Sequence, residues 1–437
     1  MVERMENRTI PTLAIFATLV LVVLDGAIAN LALPSLTQAF AIPPAQAVQV
    51  MTAYQLGVVM ALLPAAALGE GFGYRRLFTL GVALFTLASA LCCAAPSFAW
   101  LVAARFLQGL GGAAVMGLTA ALFRVIYPPD KFGRVLGWNA MVIALSAAAG
   151  PTIGAAILAR ASWPWLFAIN LPVGALVLIA SRGLPKTEGS RRWPDPLSVG
   201  LNALLFGCGV VGVDRFNGWL LAIGAVSLII LVRRERRKTA PLIPLDLLRL
   251  RPFALGVIAS ICCFTASMAG MVALPFYLQQ GLGVGTLRTG LYMTLWPAAT
   301  AFAAPLAGRL ADKVSTAWLC AVGGSCLAGG LVLAALSPSL PGILAGTVLC
   351  GAGFGFFQTP NNRTMLLSAP RERSGAAGGM QGTARLSGQT AGALIMTVLF
   401  ALAPSLGAPR IGLALAACFA LAGGAVSALR ISSSSAP

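Results

Sequence analysis

The hydrophobicity of the chain rises and falls in long blocks. Apolar runs of about 20 residues alternate with short polar or charged stretches along the whole sequence, and a helix of that length crosses a bilayer core of about 30 Å. The single-residue alternation of apolar and polar positions that is typical of a transmembrane β-barrel is missing from these runs. The pattern therefore predicts an all-α membrane protein.

Fourteen helices are predicted from the apolar blocks. The seventh and eighth are short, so twelve spans with a re-entrant hairpin in place of this pair are the alternative. The predicted helices cover residues 9–33, 46–69, 76–95, 98–123, 133–158, 164–182, 196–213, 218–232, 252–278, 287–311, 316–336, 340–363, 375–403 and 410–430.

Composition and charge agree with a multi-pass membrane protein. Of 437 residues, 58% are hydrophobic and 10% are charged, which is too little charge to cover a soluble surface. If both termini are cytoplasmic, 24 of the 30 Lys and Arg residues fall in the cytoplasmic loops. This matches the positive-inside rule, so the net charge of +18 reflects membrane topology rather than nucleic-acid binding. We expect a bacterial cytoplasmic (inner) membrane protein with both termini cytoplasmic.

A repeat is visible at the ends of two helices. Glu70 in LGEGFGYRR and Asp312 in GRLADK each follow a small-residue helix end, and they are 242 positions apart (312 − 70). Subtracting the 68 residues of 184–251 leaves 174, the length of one six-helix half. We predict two six-helix bundles plus two additional transmembrane helices: an N-terminal bundle at 1–183, a two-helix insert with cytoplasmic linkers at 184–251, and a C-terminal bundle at 252–437.

Six stretches of the chain stand out as motifs: LDGAIANLALP (24–34), LGEGFGYRR (68–76), ARFLQGLGGA (104–113), AAAGPTIGAAI (147–157), WPWLFAINLPVG (163–174) and PLIPLDLLRLRPF (241–253). Together they resemble the motifs of the major facilitator superfamily, specifically its fourteen-span drug:proton antiporters, the QacA/EmrB/SmvA-like group. Gly71 and Tyr74 depart from that group's second motif, where basic residues are common. The resemblance covers nearly the whole chain and implies the major facilitator fold.

Asp25 is the only acid well inside a predicted span. Removal from water favours the neutral form of a carboxyl group, so we expect Asp25 to bind and release a proton. The alternative is a permanently neutral acid satisfied by a neighbour. Arg105 lies inside the fourth predicted span; the resemblance makes it a partner in proton coupling, and the alternative is a structural Arg bonded to backbone carbonyls.

Other motif residues suggest helix packing and gating. Gly150, Pro151 and Gly154 form a small-residue stripe with a Pro bend in the fifth span, which the resemblance identifies as the antiporter motif. Charged residues at helix ends can lock and release a transporter, although ordinary topological charge is the alternative. The gating candidates are Glu70, Arg75, Arg76, Arg124 and Asp312.

Polar and aromatic residues inside the spans are candidates for substrate binding, although most residues of this kind serve packing. With no second acid in the spans, we expect lipophilic monocations or neutral compounds as substrates. The candidates are Asn30, Tyr54, Gln55, Gln108, Trp138, Asn139, Phe264, Trp296, Phe357, Gln358 and Asn361.

The sequence therefore predicts a proton-coupled multidrug efflux antiporter that exports lipophilic, often cationic compounds by alternating access. The alternative is a transporter of another small molecule, a uniporter or an importer. Without His and without a Ser/His, Cys/His or phosphate-loop pattern, no enzymatic activity, catalytic residue, metal or cofactor is expected. The expected partners are small-molecule lipophilic substrates, protons and the lipid bilayer, with no nucleic acid, and the chain is expected to be a monomer.

Overall fold

A computed structural model describes residues 3–187, 195–236, 245–337, 339–370, 373–403 and 407–430. These residues form α-helices joined by short connections, with 3₁₀ turns at Ser181–Gly183 and Leu247–Arg249 and a π turn at Tyr277–Gly281. The α-helices are α1 (Glu3–Phe40), α2 (Pro44–Ala47), α3 (Gln49–Phe72), α4 (Tyr74–Cys93), α5 (Phe98–Ile126), α6 (Pro129–Leu158), α7 (Trp165–Ala168), α8 (Asn170–Ala180), α9 (Pro196–Asp214), α10 (Gly218–Glu235), α11 (Arg251–Phe276), α12 (Thr286–Leu310), α13 (Thr316–Leu336), α14 (Leu340–Ser368), α15 (Ser374–Leu402) and α16 (Gly407–Ala428).

The all-α prediction is confirmed for the described residues, and each of the fourteen predicted segments overlaps a helix. Parts of the predicted linkers around the insert, residues 188–194 and 237–244, lie outside the described residues. The sixth predicted segment contains a break, because α7 ends at Ala168 and α8 begins at Asn170.

The prediction of fourteen spans is not supported. In the described part of the chain, twelve helices are long and apolar enough to cross a membrane. Helix α10 is excluded because Arg233, Arg234 and Glu235 are among its 18 residues, and α12 because Thr, Pro, Gly and Arg residues dilute its apolar character. The alternative of twelve spans gives the right number. It is wrong in leaving out the seventh and eighth predicted helices, because α9, the seventh, is one of the twelve, and the two helices left out are α10 and α12.

Local sequence explains where several helices begin. Gly73 joins α3 to α4 with a φ of 94°, a conformation that favours glycine, and a side chain there would collide with the backbone carbonyl of Thr187. The hydroxyl of Ser97 caps α5 by accepting a hydrogen bond from the Trp100 amide at 3.3 Å. These connections are short, so each helix is followed closely by the next.

The chain divides into two compact units. The first contains residues 1–29, 49–150 and 160–242, and the second contains residues 30–48, 151–159 and 243–437. Within the first unit, α5 packs on α3 and α4, and α9 packs on α10; within the second, α14 packs on α12 and α13. The division into 1–183, 184–251 and 252–437 stays a prediction.

The 242-residue repeat recurs in the helix packing inside each unit. In the first unit, Gly109 of α5 lies against the backbone carbonyl of Tyr54 in α3. In the second, Gly351 of α14 lies against the carbonyl of Trp296 in α12, so both partners are displaced by 242 positions. A Cβ atom at either glycine would collide with that carbonyl, which means that glycine sets the distance between the two helices.

A second pair of contacts follows the same spacing. Gly111 of α5 lies against Gly81 of α4, and Gly353 of α14 lies against Gly323 of α13. A Cβ added at Gly111 would be 2.8 Å from the Gly81 oxygen, and one added at Gly353 would be 2.7 Å from the Gly323 oxygen. The two units therefore use one packing scheme for their corresponding helices.

Gly109→Ala should destabilise the protein, because its methyl group has no room beside Tyr54. We expect a loss of about 1–3 kcal/mol in unfolding free energy, the usual cost of overpacking, measured by thermal unfolding in detergent. Gly137→Ala in α6 is the matched control, since a Cβ there meets no described atom within 4 Å. The control should be neutral or stabilising by up to about 1 kcal/mol; equal losses in both variants would contradict the packing argument.

Both helices of the predicted insert lie within the first unit, where α9 is hydrogen-bonded to α3. The Asn202 side chain, 1% exposed, donates to the backbone carbonyl of Met60 in α3 at 2.9 Å. The amide nitrogen of Gln49, at the start of α3, donates to both carboxylate oxygens of Asp214 at 3.2 and 2.9 Å. Polar bonds at two places along α3 thus fix the position of α9.

Candidate functional site

The acid of the first helix forms an ion pair with the arginine of α5. Asp25 is 2% exposed and Arg105 is 0% exposed. The guanidinium Nη1 of Arg105 donates to Oδ2 of Asp25 at 2.5 Å. Because both groups are removed from solvent, each charge depends on the other for its stability. The sequence left open whether these side chains approach each other, and the structure shows that they do.

Arg105 makes further contacts with its surroundings. Its Nη1 also donates to Oε1 of Gln108 at 2.5 Å, and its Nε donates to the backbone carbonyl of Val50 at 3.3 Å. The guanidinium carbon lies 4.4 Å from the centre of the Tyr54 ring and 5.5 Å from that of Phe167. These rings shield the cation and attract it electrostatically. Arg105 is therefore bonded both to the acid and to a backbone carbonyl, and its part in proton coupling stays a prediction.

The second oxygen of Asp25 accepts two amide hydrogen bonds. Oδ1 is 3.0 Å from Nε2 of Gln108 and 2.8 Å from Nδ2 of Asn170. The same two nitrogens reach the Ser89 hydroxyl at 2.8 and 3.4 Å, and that hydroxyl donates to the Phe85 carbonyl at 2.8 Å. We name this set the Asp25 cluster, which consists of Asp25, Ser89, Arg105, Gln108 and Asn170.

Sequence analysis missed two members of the Asp25 cluster. Ser89 was not singled out, and Asn170 was noted only as a letter of the motif WPWLFAINLPVG. Both are polar residues in apolar segments and both are almost fully buried. Asp25 stands out in the sequence because it is a charged residue in an apolar run. Ser89 and Asn170 are also polar residues in apolar runs, but they are uncharged and cost less to bury, so they stand out less.

Helix geometry places the cluster members together. Arg105 and Gln108 are three residues apart on α5 and so project from one face of the helix. On α8, Gly174 lies against the Thr86 side chain of α4, and a Cβ atom there would collide with the Thr86 hydroxyl. This close approach of α8 to α4 brings Asn170 beside Ser89.

The carboxyl group of Asp25 faces N–H donors on both of its oxygens. The donors belong to three side chains, those of Arg105, Gln108 and Asn170. A proton arriving at Asp25 would leave Arg105 without its counter-charge and change the charge of the cluster from zero to +1. Among the described residues, no three His, Cys, Asp or Glu side chains are grouped as a metal site would require.

The corresponding positions of the second unit lack this chemistry. Displacement by 242 positions takes Arg105 to Thr347 and Gln108 to Cys350, both on α14. Thr347 donates to a carbonyl of its own helix, that of Ile343, at 2.8 Å. The packing scheme is therefore repeated while the ion pair is not.

The gating candidates lie at helix ends. Asp312 follows α12 and accepts a hydrogen bond from Nη1 of Arg363 in α14 at 2.6 Å, an ion pair exposed to solvent. Arg363 is not among the gating candidates predicted from the sequence. The remaining candidates are at the end of α3 (Glu70), the start of α4 (Arg75, Arg76) and the last turn of α5 (Arg124), and gating by all five stays a prediction.

The substrate-binding candidates occupy different environments, and their role stays a prediction. Gln108 belongs to the Asp25 cluster, and the Asn361 amide donates to the Ser260 hydroxyl at 2.8 Å. Phe264 stacks edge-on against Phe354 with 5.1 Å between ring centres. The other candidates are buried (Asn30, Tyr54, Gln55, Trp296, Phe357), half-buried (Asn139, Gln358) or 44% exposed (Trp138).

The glycine of the antiporter motif lies close to the Asp25 cluster. A Cβ atom at Gly150 of α6 would collide with the side chain of Ala27, two residues after Asp25 in α1. Pro151 follows inside α6, and Gly154 is buried. Gly150 thus lets α6 approach α1 within one helical turn of the ion pair.

Comparison with known proteins identifies transporters over nearly the whole chain. The chain is 45% identical over 425 residues to the uncharacterized transporter YebQ of Escherichia coli (strain K12), covering 94% of this chain and 92% of YebQ. It is 31% identical to the riboflavin transporter RibZ of Clostridioides difficile (strain 630), covering 83% and 81%. It is 33% identical to the multidrug resistance protein Stp of Mycobacterium tuberculosis (strain ATCC 25618 / H37Rv), covering 89% and 76%.

Solved structures share the fold. A POT family transporter in complex with a thioalcohol-conjugated peptide superposes with a TM-score of 0.77 at 14% identity, covering 97% of this chain and 96% of that one. The family model "Major Facilitator Superfamily" matches residues 15–393. On these matches the chain is a multi-pass membrane transporter and not an enzyme. The chain therefore belongs to the Major Facilitator Superfamily.

Proposed function

We propose that the protein is a proton-coupled multidrug efflux antiporter that exports lipophilic, often cationic compounds by alternating access. The proposal rests on the buried Asp25–Arg105 ion pair, in which both carboxylate oxygens of Asp25 accept hydrogen bonds from N–H groups. A buried ionisable pair inside a membrane helix is costly and marks a proton or ion pathway by default. Similarity to Stp, a multidrug resistance protein, supports a drug as the cargo.

The proposed cycle uses Asp25 as the proton carrier. With the binding site open to the cytoplasm, Asp25 is ionised and a lipophilic compound binds. After the helices rearrange, a proton from the other side neutralises Asp25 and so removes the counter-charge of Arg105, and the compound leaves. Proton and substrate thus favour opposite charge states of the Asp25 cluster, and this opposition couples their movements.

Other parts of the chain have proposed roles in the same cycle. The helix-end charges, with Asp312–Arg363 as an observed example, would stabilise one arrangement of the helices and break in another. The aromatic and amide side chains singled out in the spans would supply some of the substrate contacts. The protein would work as a monomer in a bacterial inner membrane with both termini cytoplasmic, as the placement of its basic residues suggests.

A second candidate is transport of another small molecule. Similarity to RibZ, a riboflavin transporter, favours this alternative at 31% identity. Counterflow measurements in proteoliposomes, with a cationic dye and riboflavin as the two labelled compounds, separate the candidates. Exchange of dye alone supports the exporter, and exchange of riboflavin alone supports the alternative.

Substrate-triggered proton release is the direct test of antiport. Adding a lipophilic cation to the purified protein in weakly buffered detergent solution should acidify the solution, because substrate binding favours ionised Asp25. We expect up to one proton per protein for the parent and none for Asp25→Asn. A parent that binds the compound without releasing a proton at any pH from 5 to 9 would refute the proposal.

A further inference from the structure

Asn170 has an unusual position in the Asp25 cluster. Its Nδ2 donates to Oδ1 of Asp25 at 2.8 Å and lies 3.4 Å from the Ser89 hydroxyl. Its own Oδ1 is buried, and it has no hydrogen-bond partner among the described residues. A buried carbonyl oxygen without a hydrogen-bond partner costs free energy. A purely structural role for Asn170 would explain its N–H donor but not its unpaired oxygen.

A protonated Asp25 would face only donors in the observed arrangement. Arg105 approaches Oδ2, while Gln108 and Asn170 approach Oδ1, all through nitrogen. The hydroxyl of a carboxylic acid must donate a hydrogen bond when it is buried, and none of these atoms can accept one. At least one neighbour must therefore turn when the proton binds.

The chemistry of the three neighbours decides which one can turn. Arg105 has no acceptor atom. Gln108 has one, but its Oε1 accepts from Arg105 at 2.5 Å, and turning the amide would direct N–H groups at the guanidinium. The amide of Asn170 can rotate and direct its Oδ1, which has no partner among the described residues, at Asp25. The rotation breaks two hydrogen bonds of Nδ2, the one to Asp25 at 2.8 Å and the one to Ser89 at 3.4 Å.

We propose that Asn170 is the second residue of the proton site: it donates to Asp25 when the carboxylate is ionised and, after its amide rotates, accepts from Asp25 when the acid is protonated. The proton adds to Oδ1 of Asp25, the N–H···Oδ1 bond is replaced by an O–H···Oδ1 bond to Asn170, and Arg105 keeps its contact with Oδ2. This inference rests on the proposed function of Asp25.

The other titratable groups around Asp25 do not replace Asn170 in this role. They are the guanidinium of Arg105 from α5, the phenol of Tyr54 from α3, which faces Arg105, and the thiols of Cys92 and Cys93 from α4. The Cys92 thiol lies 3.9 Å from Oε1 of Gln108, and that of Cys93 lies 3.4 Å from the Pro164 carbonyl. Thiols are weak acceptors in any case.

Asn170→Leu tests the inference, because leucine has nearly the same shape and can neither donate nor accept. Infrared difference spectroscopy across a pH titration identifies the carbonyl band of protonated Asp25 as the band that Asp25→Asn removes. In Asn170→Leu this band should move to higher wavenumber, because the acid hydroxyl has lost its acceptor.

Asn202→Leu in α9 is the matched control. Asn202 is as buried as Asn170 and also has an Oδ1 without a hydrogen-bond partner among the described residues, but its Nδ2 donates to the Met60 carbonyl and not to Asp25. The Asp25 band of this variant should stay at the parental wavenumber, and thermal unfolding of each variant checks that it is folded. Two outcomes overturn the inference: an unmoved band in Asn170→Leu, or no Asp25 band in the parent at any pH. Asn170→Gln, which keeps an amide, should restore the parental wavenumber if Asn170→Leu fails to fold.

The test separates this inference from the proposed function. The infrared band reports the protonation of Asp25 whether or not substrate is moved. If the band depends on Asn170 as expected but substrate releases no proton, antiport is refuted and the two-residue proton site stands. If substrate releases a proton and the band ignores Asn170, the proposed function stands and this inference fails.

Discussion

Asp25→Asn is expected to abolish uphill, pH-gradient-driven export of a lipophilic cationic dye, reducing it to the level of vesicles without the protein. The substitution keeps the size of the side chain and removes the carboxyl group that binds the proton. Dye accumulation in inverted membrane vesicles, energised by an imposed pH gradient, measures the effect. Asp25→Glu retains a carboxyl group and should keep partial activity.

Asp25→Asn must also be separated from simple misfolding, because it leaves the buried guanidinium of Arg105 without its counter-charge. Membrane insertion, dye binding and downhill efflux are the relevant checks, and we expect all three to persist in part. Full gradient-driven export by Asp25→Asn would refute the assignment of Asp25 as the proton carrier.

Arg105→Gln is expected to cost about 3–5 kcal/mol of unfolding free energy, because it strands the Asp25 carboxylate in a buried environment. The double variant Asp25→Asn/Arg105→Gln removes both charges, so most of this loss should be recovered. Unfolding in detergent of the parent, the two single variants and the double variant forms a double-mutant cycle that measures the interaction directly.

The double variant has a second use. It should be stable and still unable to couple dye export to a pH gradient, which would show that lost coupling does not follow from lost stability. Additive losses in the two single variants would contradict a direct ion pair. Gradient-driven export by the stable double variant would contradict its role in coupling.

Helix positions could be predicted from the sequence because apolar block length alone dictates them. The number of spans could not be predicted in the same way. Helix α12 is interrupted by Thr, Pro and Gly residues that lower its hydropathy while its contacts with α14 hold it in the fold. Local sequence therefore predicts well that a segment is helical. It predicts less well whether the helix crosses the membrane, because neighbouring helices also determine what each face contacts.

The candidate site could be predicted for residues that carry charge and was missed for residues that do not. Asp25 and Arg105 are conspicuous in apolar runs, although 80 positions separate them and no local pattern reports their contact. Ser89 and Asn170 are uncharged polar residues, which are found in many membrane helices because burying them costs less free energy than burying a charge. Their importance arises from the fold, which places both beside one carboxylate.

The isolation of Asp25 among the apolar runs has an electrical consequence for the proposed antiport. One carboxyl group carries one proton per cycle, so exchange for a monovalent cation moves no net charge, and only the pH difference, about 1.4 kcal/mol per unit, drives it. Exchange for a neutral compound moves one charge, and each 100 mV of membrane potential then adds about 2.3 kcal/mol. Cation export should therefore be insensitive to voltage, whereas export of neutral compounds should depend on it.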